Sequence, residues 1–351
     1  MTIGVHDAIA PLAEEWDALA ERAGAPPFAR PGWFCAWWSA FGTGTLVVVT
    51  TRRRGRLRGV LVLRRGAGVL ASPTNAHTPG YSVLAEDSVA CVELASWLFA
   101  QRSRRIQLDY LDAADPALPE LYRAAADAGH RMLRTVVQRS PYVALAPGED
   151  VDRRLGAKAA RNVRRNLRRL EEAGRVEVVV EAAPSRVDGL LAVGFPLESS
   201  GWKADRGTAI LSSPETRRFY TAVAHWAADA GLLRLGFLRL DGRAIAFAFG
   251  LQDGAAFYLL KGGYDPAYRR FAPAKLLFRA LMGQAVASGL QRFELLGATE
   301  PWKLEWTRDC HERILLRSYA PTVLGIADHA AQTAYFRYGH PIAKRALARV
   351  R

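Results

Sequence analysis

The stretch from Tyr258 to Trp306, YLLKGGYDPAYRRFAPAKLLFRALMGQAVASGLQRFELLGATEPWKLEW, passes from a strand into a helix and back into a strand. An apolar run, Ala255–Lys261, is followed by the polar turn Tyr264–Ala272. Pro273 then starts a helix that reaches Ser288. Proline suits the first turn of a helix, because its φ is pre-set and its missing N–H is not needed there. Arg292–Leu296 reads as the next strand. Strand, helix and strand within fifty residues define an α/β unit.

Outward from this stretch the same vocabulary recurs. Upstream lie a strand at Val176–Glu181, helices at Val187–Phe195 and Glu215–Ala230, and strands at Leu232–Leu240 and Ala244–Leu251. Asp241-Gly242 and Asp253-Gly254 are tight hairpin turns between those strands. A last strand follows at Arg313–Tyr319, then a C-terminal helix carrying Lys344, Arg345, Arg349 and Arg351. The first half gives a helix at Leu12–Ala23, strands at Thr45–Thr50 and Leu57–Leu63 with Arg52–Arg56 as their turn, and a polar loop at Ser72–Tyr81. A helix at Ser88–Gln101, a strand at Ile106–Leu111, a helix at Ala117–Ala128 and a strand at Met132–Gln138 complete it. Arg105-Ile106-Gln107-Leu108-Asp109 echoes Arg292-Phe293-Glu294-Leu295-Leu296, so two copies of one mixed α/β unit are expected.

Asp152–Ala173 carries the strongest helical pattern. Leu155, Ala159, Val163, Leu167 and Leu170 form an apolar stripe, and eight basic residues fill most of the remainder. The net charge of +14 is uneven: residues 1–151 hold 16 Lys/Arg against 15 Asp/Glu, and residues 152–351 hold 32 against 19. That asymmetry favours a polyanionic partner for the second half. For the basic helix, packing between domains, RNA phosphate and a peripheral anionic membrane surface are the three readings. No apolar run is long enough to span a bilayer, and no signal peptide is expected, because Met1–Asp17 lacks a basic region followed by an apolar core. Cys35, Cys91 and Cys310 form neither a disulfide framework nor a metal-ligand spacing, so a cytoplasmic protein without a metal is expected.

Chemistry concentrates near the end of the quoted stretch. Arg269, Arg270, Ala274 and Lys275 surround a helix start, where free N–H groups and basic side chains suit a phosphorylated donor. Strand alternation puts Glu294 on the opposite side from Phe293 and Leu295. A carboxylate there is costly unless paired or used, for example as a base. The alternative for Glu294 is a buried salt bridge closing the sheet. Glu300 is a second acid–base candidate, and Lys303 a partner for a carboxylate or an anionic substrate. Trp202, Lys203, Tyr264, Asp265 and Trp302 are candidates for lining an acceptor pocket.

Together with KAARNVRRNLRRLEEAG and FYTAVAHWAADAGLLRLGFLRLDGRAIAFAFG, the quoted stretch resembles the CelD/BcsL-type acetyltransferases of the GNAT superfamily, relatives of the FemABX peptidyltransferases. The resemblance implies two tandem GNAT-like domains with mixed central sheets joined by the basic amphipathic helix. The boundaries are 1–150 for a degenerate GNAT-like domain, 151–174 for the linker helix, 175–322 for the catalytic domain and 323–351 for a helical segment. It implies an N-acyltransferase using acyl-CoA, acetyl-CoA first, on a small-molecule amine, in envelope polysaccharide or specialised metabolite synthesis. Ala272-Pro273-Ala274 stands where relatives commonly have Ser-Pro-Gly, and the usual GNAT Q/R-x-x-G-x-G/A signature is absent. Aminoacyl-tRNA is therefore the alternative donor, with tRNA as a partner. A non-catalytic module of a polysaccharide assembly pathway is the third reading, and the protein is expected as a monomer or homodimer.

Overall fold

The computed structural model describes residues 2–200 and 209–335. Trp202, Lys203 and the basic C-terminal residues from Lys344 onward lie outside them. In chain order the regular elements are β1 (Thr2–His6), α1 (Ala13–Arg22), α2 (Pro31–Phe41), β2 (Thr45–Arg53), β3 (Arg56–Gly66), β4 (Val69–Ala71), β5 (Leu84–Ala85), α3 (Ser88–Phe99), β6 (Arg105–Asp112), α4 (Leu118–Asp127) and β7 (Arg131–Ala144). They continue as α5 (Ala157–Glu171), β8 (Val176–Glu181), α6 (Val187–Glu198), α7 (Pro214–Asp229), β9 (Leu233–Leu240), β10 (Arg243–Asp253), β11 (Ala256–Tyr264), α8 (Pro273–Ala287), β12 (Arg292–Glu294), α9 (Pro301–Leu304), β13 (Cys310–Tyr319) and α10 (Val323–Ala334).

Two compact units divide the chain. Unit 1 comprises Met1–Pro31, Gly42–Gln138 and Glu312–Arg351; unit 2 comprises Gly32–Phe41 and Arg139–His311. Each is built on a mixed sheet with helices, as the α/β reading expects. In unit 1 the strand order is β1-β2-β3-β4-β6-β13, with β4–β6 the parallel pair. In unit 2 it is β7-β12-β11-β10-β9-β8, with β11–β12 the parallel pair. Each unit thus completes its sheet with a strand from the other half of the sequence. Residues of β13 pair with β6, and Tyr142–Ala144 of β7 pair with β12.

Local chemistry explains the hairpins. Arg54 and Gly55 take φ of 51° and 80° between β2 and β3, and Asp241 and Gly242 take 49° and 80° between β9 and β10. Two left-handed residues in a row give the turn whose twist matches paired strands. At Gly263 on β11, an added Cβ would fall 2.3 Å from the Leu197 carbonyl oxygen of α6, so only glycine lets that helix lie so close.

Strands β1, β4 and β5 and helix α9 have no counterpart in the sequence reading, β7 runs on to Ala144, and three further departures have a local cause. Helix α2 was not anticipated, because its aromatic run PGWFCAWWSAF has no polar face to give it a period. Trp33 is buried there and meets Phe219 of α7 edge-on at 5.1 Å. The basic helix begins at Ala157 rather than Asp152. Gly156 is extended (φ −59°, ψ 151°), and Val151–Arg154 form a separate 3₁₀ turn that Asp152 ties to α8. There Arg279 donates to the buried Asp152 carboxylate at 2.6 and 3.0 Å. Finally β12 stops at Glu294, because Leu296 and Gly297 turn the chain at φ of 51° and 58°.

The unit 2 core gathers Val163 and Leu170 of α5, Leu276, Leu277 and Leu281 of α8, and Phe257, Phe293 and Trp306. Helix α5 therefore packs within this unit by its apolar stripe. Its opposite face carries Lys158, Arg161, Arg165, Arg168 and Arg169, which are exposed or half-exposed. Among the described residues, no helix is long and apolar enough to cross a membrane.

Candidate active site

Strands β11 and β12 pair over only three positions: Ala256 with Arg292, Phe257 with Phe293, and Tyr258 with Glu294. Beyond Tyr258, β11 runs on to Tyr264, whereas β12 has ended. The two strands therefore part just past Glu294. Alternation separates their side chains by face. Phe257 and Phe293 stack at 4.7 Å in the core. Arg292 and Glu294 occupy the other face, with Tyr258 on one side of Glu294 and Tyr142 on the other.

Glu294 is 4% exposed. His311 Nε2 lies 3.2 Å from each of its carboxylate oxygens. The alignment makes a hydrogen bond to Oε1 only, so Oε2 is buried within ion-pair distance but without a hydrogen bond. Arg292 Nε stands 3.6 Å from Oε1. The His311 ring is held from its other side by Tyr142, stacked at 4.4 Å and 25°. Burial, and next the charge of Glu294, push the Tyr258 phenol well above the usual tyrosine range, so its hydroxyl stays protonated.

At the far end of β11, the 3₁₀ turn Pro266–Phe271 leads to α8. Ala272 is left-handed (φ 52°), Pro273 is the first helical residue, and no side chain caps the helix. Arg269 and Arg270 are exposed on the turn, and the Arg270 guanidinium lies 4.7 Å from the Phe271 ring centre. Ala274 is the second residue of α8 and half-buried. Lys275 is paired with Glu305 and sits 6.0 Å from the Trp306 ring. Asp265 accepts from Ala267 N at 3.0 Å and from Arg243 at 2.7 Å, which makes it a cap for the turn. The Tyr264 carbonyl accepts from Ser200 Oγ at 2.6 Å.

Past β12, Lys303 is buried and donates to the Leu296 and Ala298 carbonyls at 2.6 and 2.9 Å. Its ammonium thereby holds the left-handed loop that ends the strand. Glu300 accepts from the Trp302 indole N–H, and Trp302 lies against Phe278 of α8 at 5.2 Å. The structure so brings Glu294 together with His311, Arg292 and the two tyrosines, and it joins Glu300 to Trp302. Lys303 is turned to backbone carbonyls and not to the Glu294 carboxylate. Sequence reasoning missed His311, which is 17 positions from Glu294 and on a different strand. Among the described residues, no group of three or more His, Cys, Asp or Glu is placed to hold a metal ion.

Residues 157–304 match the family model of an acetyltransferase (GNAT) domain. No curated protein matches the sequence. Solved structures similar to the chain include a conserved protein of unknown function from Bacteroides thetaiotaomicron (13% identity, TM-score 0.60), covering 91% of this chain and 100% of that one. FemX is similar at 12% identity and a TM-score of 0.58, over 91% of this chain and 97% of FemX. L-PGS from Bacillus licheniformis is similar at 12% and 0.53, over 90% and 94%. At such identities the likeness is one of fold, and it spans both units. The matched stretch runs from α5 to α9 and takes in the parted strands and Glu294.

Proposed function

We propose that the protein is an N-acyltransferase that moves an acyl group, acetyl first, from acyl-CoA to the amine of a small molecule. The observation that carries this reading is the parting of β11 and β12 beyond the Tyr258–Glu294 pair, in the stretch matched as a GNAT domain. A thioester laid along Leu259–Tyr264 meets backbone N–H groups that can polarise its carbonyl. The uncapped start of α8, with Arg269 and Arg270 beside it, suits the donor's phosphates. Lys275, engaged by Glu305, contributes less direct charge. Glu294 supplies the negative charge that the departing amine proton requires, while Glu300, Trp302 and Lys303 shape the loop beyond it. Envelope sugars and specialised metabolites are the acceptor classes to try first. The test is thiol release from acetyl-CoA with a panel of amines, alongside calorimetry of CoA binding. Failure to bind CoA would remove the donor assignment, and Arg270→Ala should weaken binding about three- to tenfold if the phosphates sit there.

One observation favours aminoacyl-tRNA as a second donor. Lys158, Arg161, Arg165, Arg168 and Arg169 lie on one face of α5, and among the described residues none of them has an ion pair or side-chain hydrogen bond. A coenzyme needs far less charge than that face offers. Binding of tRNA that weakens steeply with salt, lost when these five are changed to alanine, would support it. Retention of tRNA by the five-alanine protein would argue against it.

A further inference from the structure

The exposure of the two side chains in the Glu294–His311 pair is unequal. The Glu294 side chain is 5% exposed and that of His311 is 23%. A carboxylate so enclosed is poorly placed to meet an incoming amine, whereas the imidazole touching it is reachable. Tyr142 fixes the plane of the ring by stacking, and Glu294 fixes which nitrogen faces inward. A buried carboxylate behind an imidazole orients the ring and stabilises the imidazolium formed when it takes a proton.

We propose that His311 is the catalytic base of this site and that Glu294 is its positioning residue. The inference rests on the acyl-transfer reading and names the group that receives the proton. The amine nitrogen attacks the thioester carbonyl carbon, so that a C–N bond forms. The proton lost from nitrogen passes to the imidazole. The tetrahedral species then collapses, the C–S bond breaks, and the imidazolium returns that proton to the departing thiolate. The products are an amide and a free thiol, and His311 is neutral again. The negative charge of Glu294, held in place by Arg292, is present throughout.

The experiment compares wild type, His311→Ala and His311→Gln in thiol release from acetyl-CoA with a panel of primary amines: an amino sugar, a diamine and an amino acid. CoA affinity is followed by calorimetry and folding by thermal melts. The expected result is a loss of kcat of about 100-fold or more in both variants, within the range of general base catalysis. CoA affinity should be unchanged and the variants should still melt cooperatively, though at a lower temperature because the buried Glu294 loses its hydrogen bond; free imidazole should restore turnover to His311→Ala but not to His311→Gln, which leaves no space for it. Activity near wild type in His311→Ala would overturn the role of His311 and leave acyl transfer standing. Loss without imidazole rescue in a normally folded His311→Ala would mark the histidine as structural and overturn it as well. If wild type binds CoA yet acylates no amine of the panel, the acyl-transfer reading and the role of His311 fall together.

Discussion

The parallel strand pairs of the two units share a register and differ in the chain beyond them. In unit 1, Val69, Leu70 and Ala71 face Arg105, Ile106 and Gln107; in unit 2, Ala256, Phe257 and Tyr258 face Arg292, Phe293 and Glu294. Gln107 holds the place of Glu294. Past Ala71 the chain folds back over the opening. Ser72 N donates to the Gln107 carbonyl at 2.8 Å, Asp109 N donates to Ser72 Oγ at 2.9 Å, and Tyr81 N donates to the Tyr110 carbonyl at 3.0 Å. Past Tyr258, β11 runs on and leaves the opening uncovered by its own loop. The helices differ too. The start of α3 is filled by the Asp87 carboxylate, which accepts from Ala90 N at 2.8 Å and pairs with Arg58 at 2.5 Å. The start of α8 has Ala272 and no such cap. One frame in the same register is thus bridged by hydrogen bonds in unit 1 and left open in unit 2, according to a few residues after the first strand.

Making the second frame resemble the first should remove function. Glu294→Gln copies Gln107 and is expected to lower kcat for thiol release about 10²- to 10⁴-fold, whereas Gln107→Ala should leave it within roughly twofold. Equal losses in both would end the functional contrast.

A pH effect is expected from unit 1. Burial pushes the Asp115 carboxyl up to about 6, with Asp112 adding to it. A carboxyl raised in the folded state binds its proton more tightly there than in the unfolded chain. Its contribution is full below about pH 4 and is lost as pH rises through about 6. Asp115→Asn should therefore raise stability at pH 7 by up to about 3 kcal/mol and have little effect at pH 4. Urea titrations at the two pH values measure this, and an equal gain at both would rule out the titration.

Ala272→Asp puts at α8 the kind of group that fills α3. A carboxylate at that helix start should repel donor phosphates and weaken CoA binding about tenfold, corresponding to roughly 1.4 kcal/mol. Calorimetry decides, and unchanged affinity would move the phosphates elsewhere. Asp87→Ala, the reverse change, removes a cap and should cost about 1 kcal/mol of stability without altering CoA binding. A matching loss of CoA affinity would mean that the unit 1 helix takes part after all.

Much of this contrast is legible in sequence because it is local. The turns at Arg52–Arg56 and Asp241-Gly242, the helix start at Pro273 and the alternation that sets Glu294 against Phe293 all depend on neighbouring residues. The echo between Arg105–Asp109 and Arg292–Leu296 corresponds to equal register in the two sheets. The hidden part depends on distant strands. Nothing within a few residues of Glu294 announces His311 or Tyr142, and nothing near Lys303 announces that its ammonium will be spent on the carbonyls of Leu296 and Ala298. Helix α2 is hidden for another reason: its exposed positions, Cys35 and Ser39, carry no charge, so no polar face marks it in the sequence.

The strand that completes each sheet from the far half of the sequence has a consequence for synthesis. Asp112 of β6 meets its partner Arg313 across 201 residues. At about 5–20 residues per second, a nascent β6 would wait roughly 10–40 s for β13 to be made. Through that interval the edge of β6 presents unpaired backbone to any strand nearby. The first unit translated is therefore among the last to be finished, and a chaperone that shields β6 should raise the yield of folded protein more than one acting on unit 2.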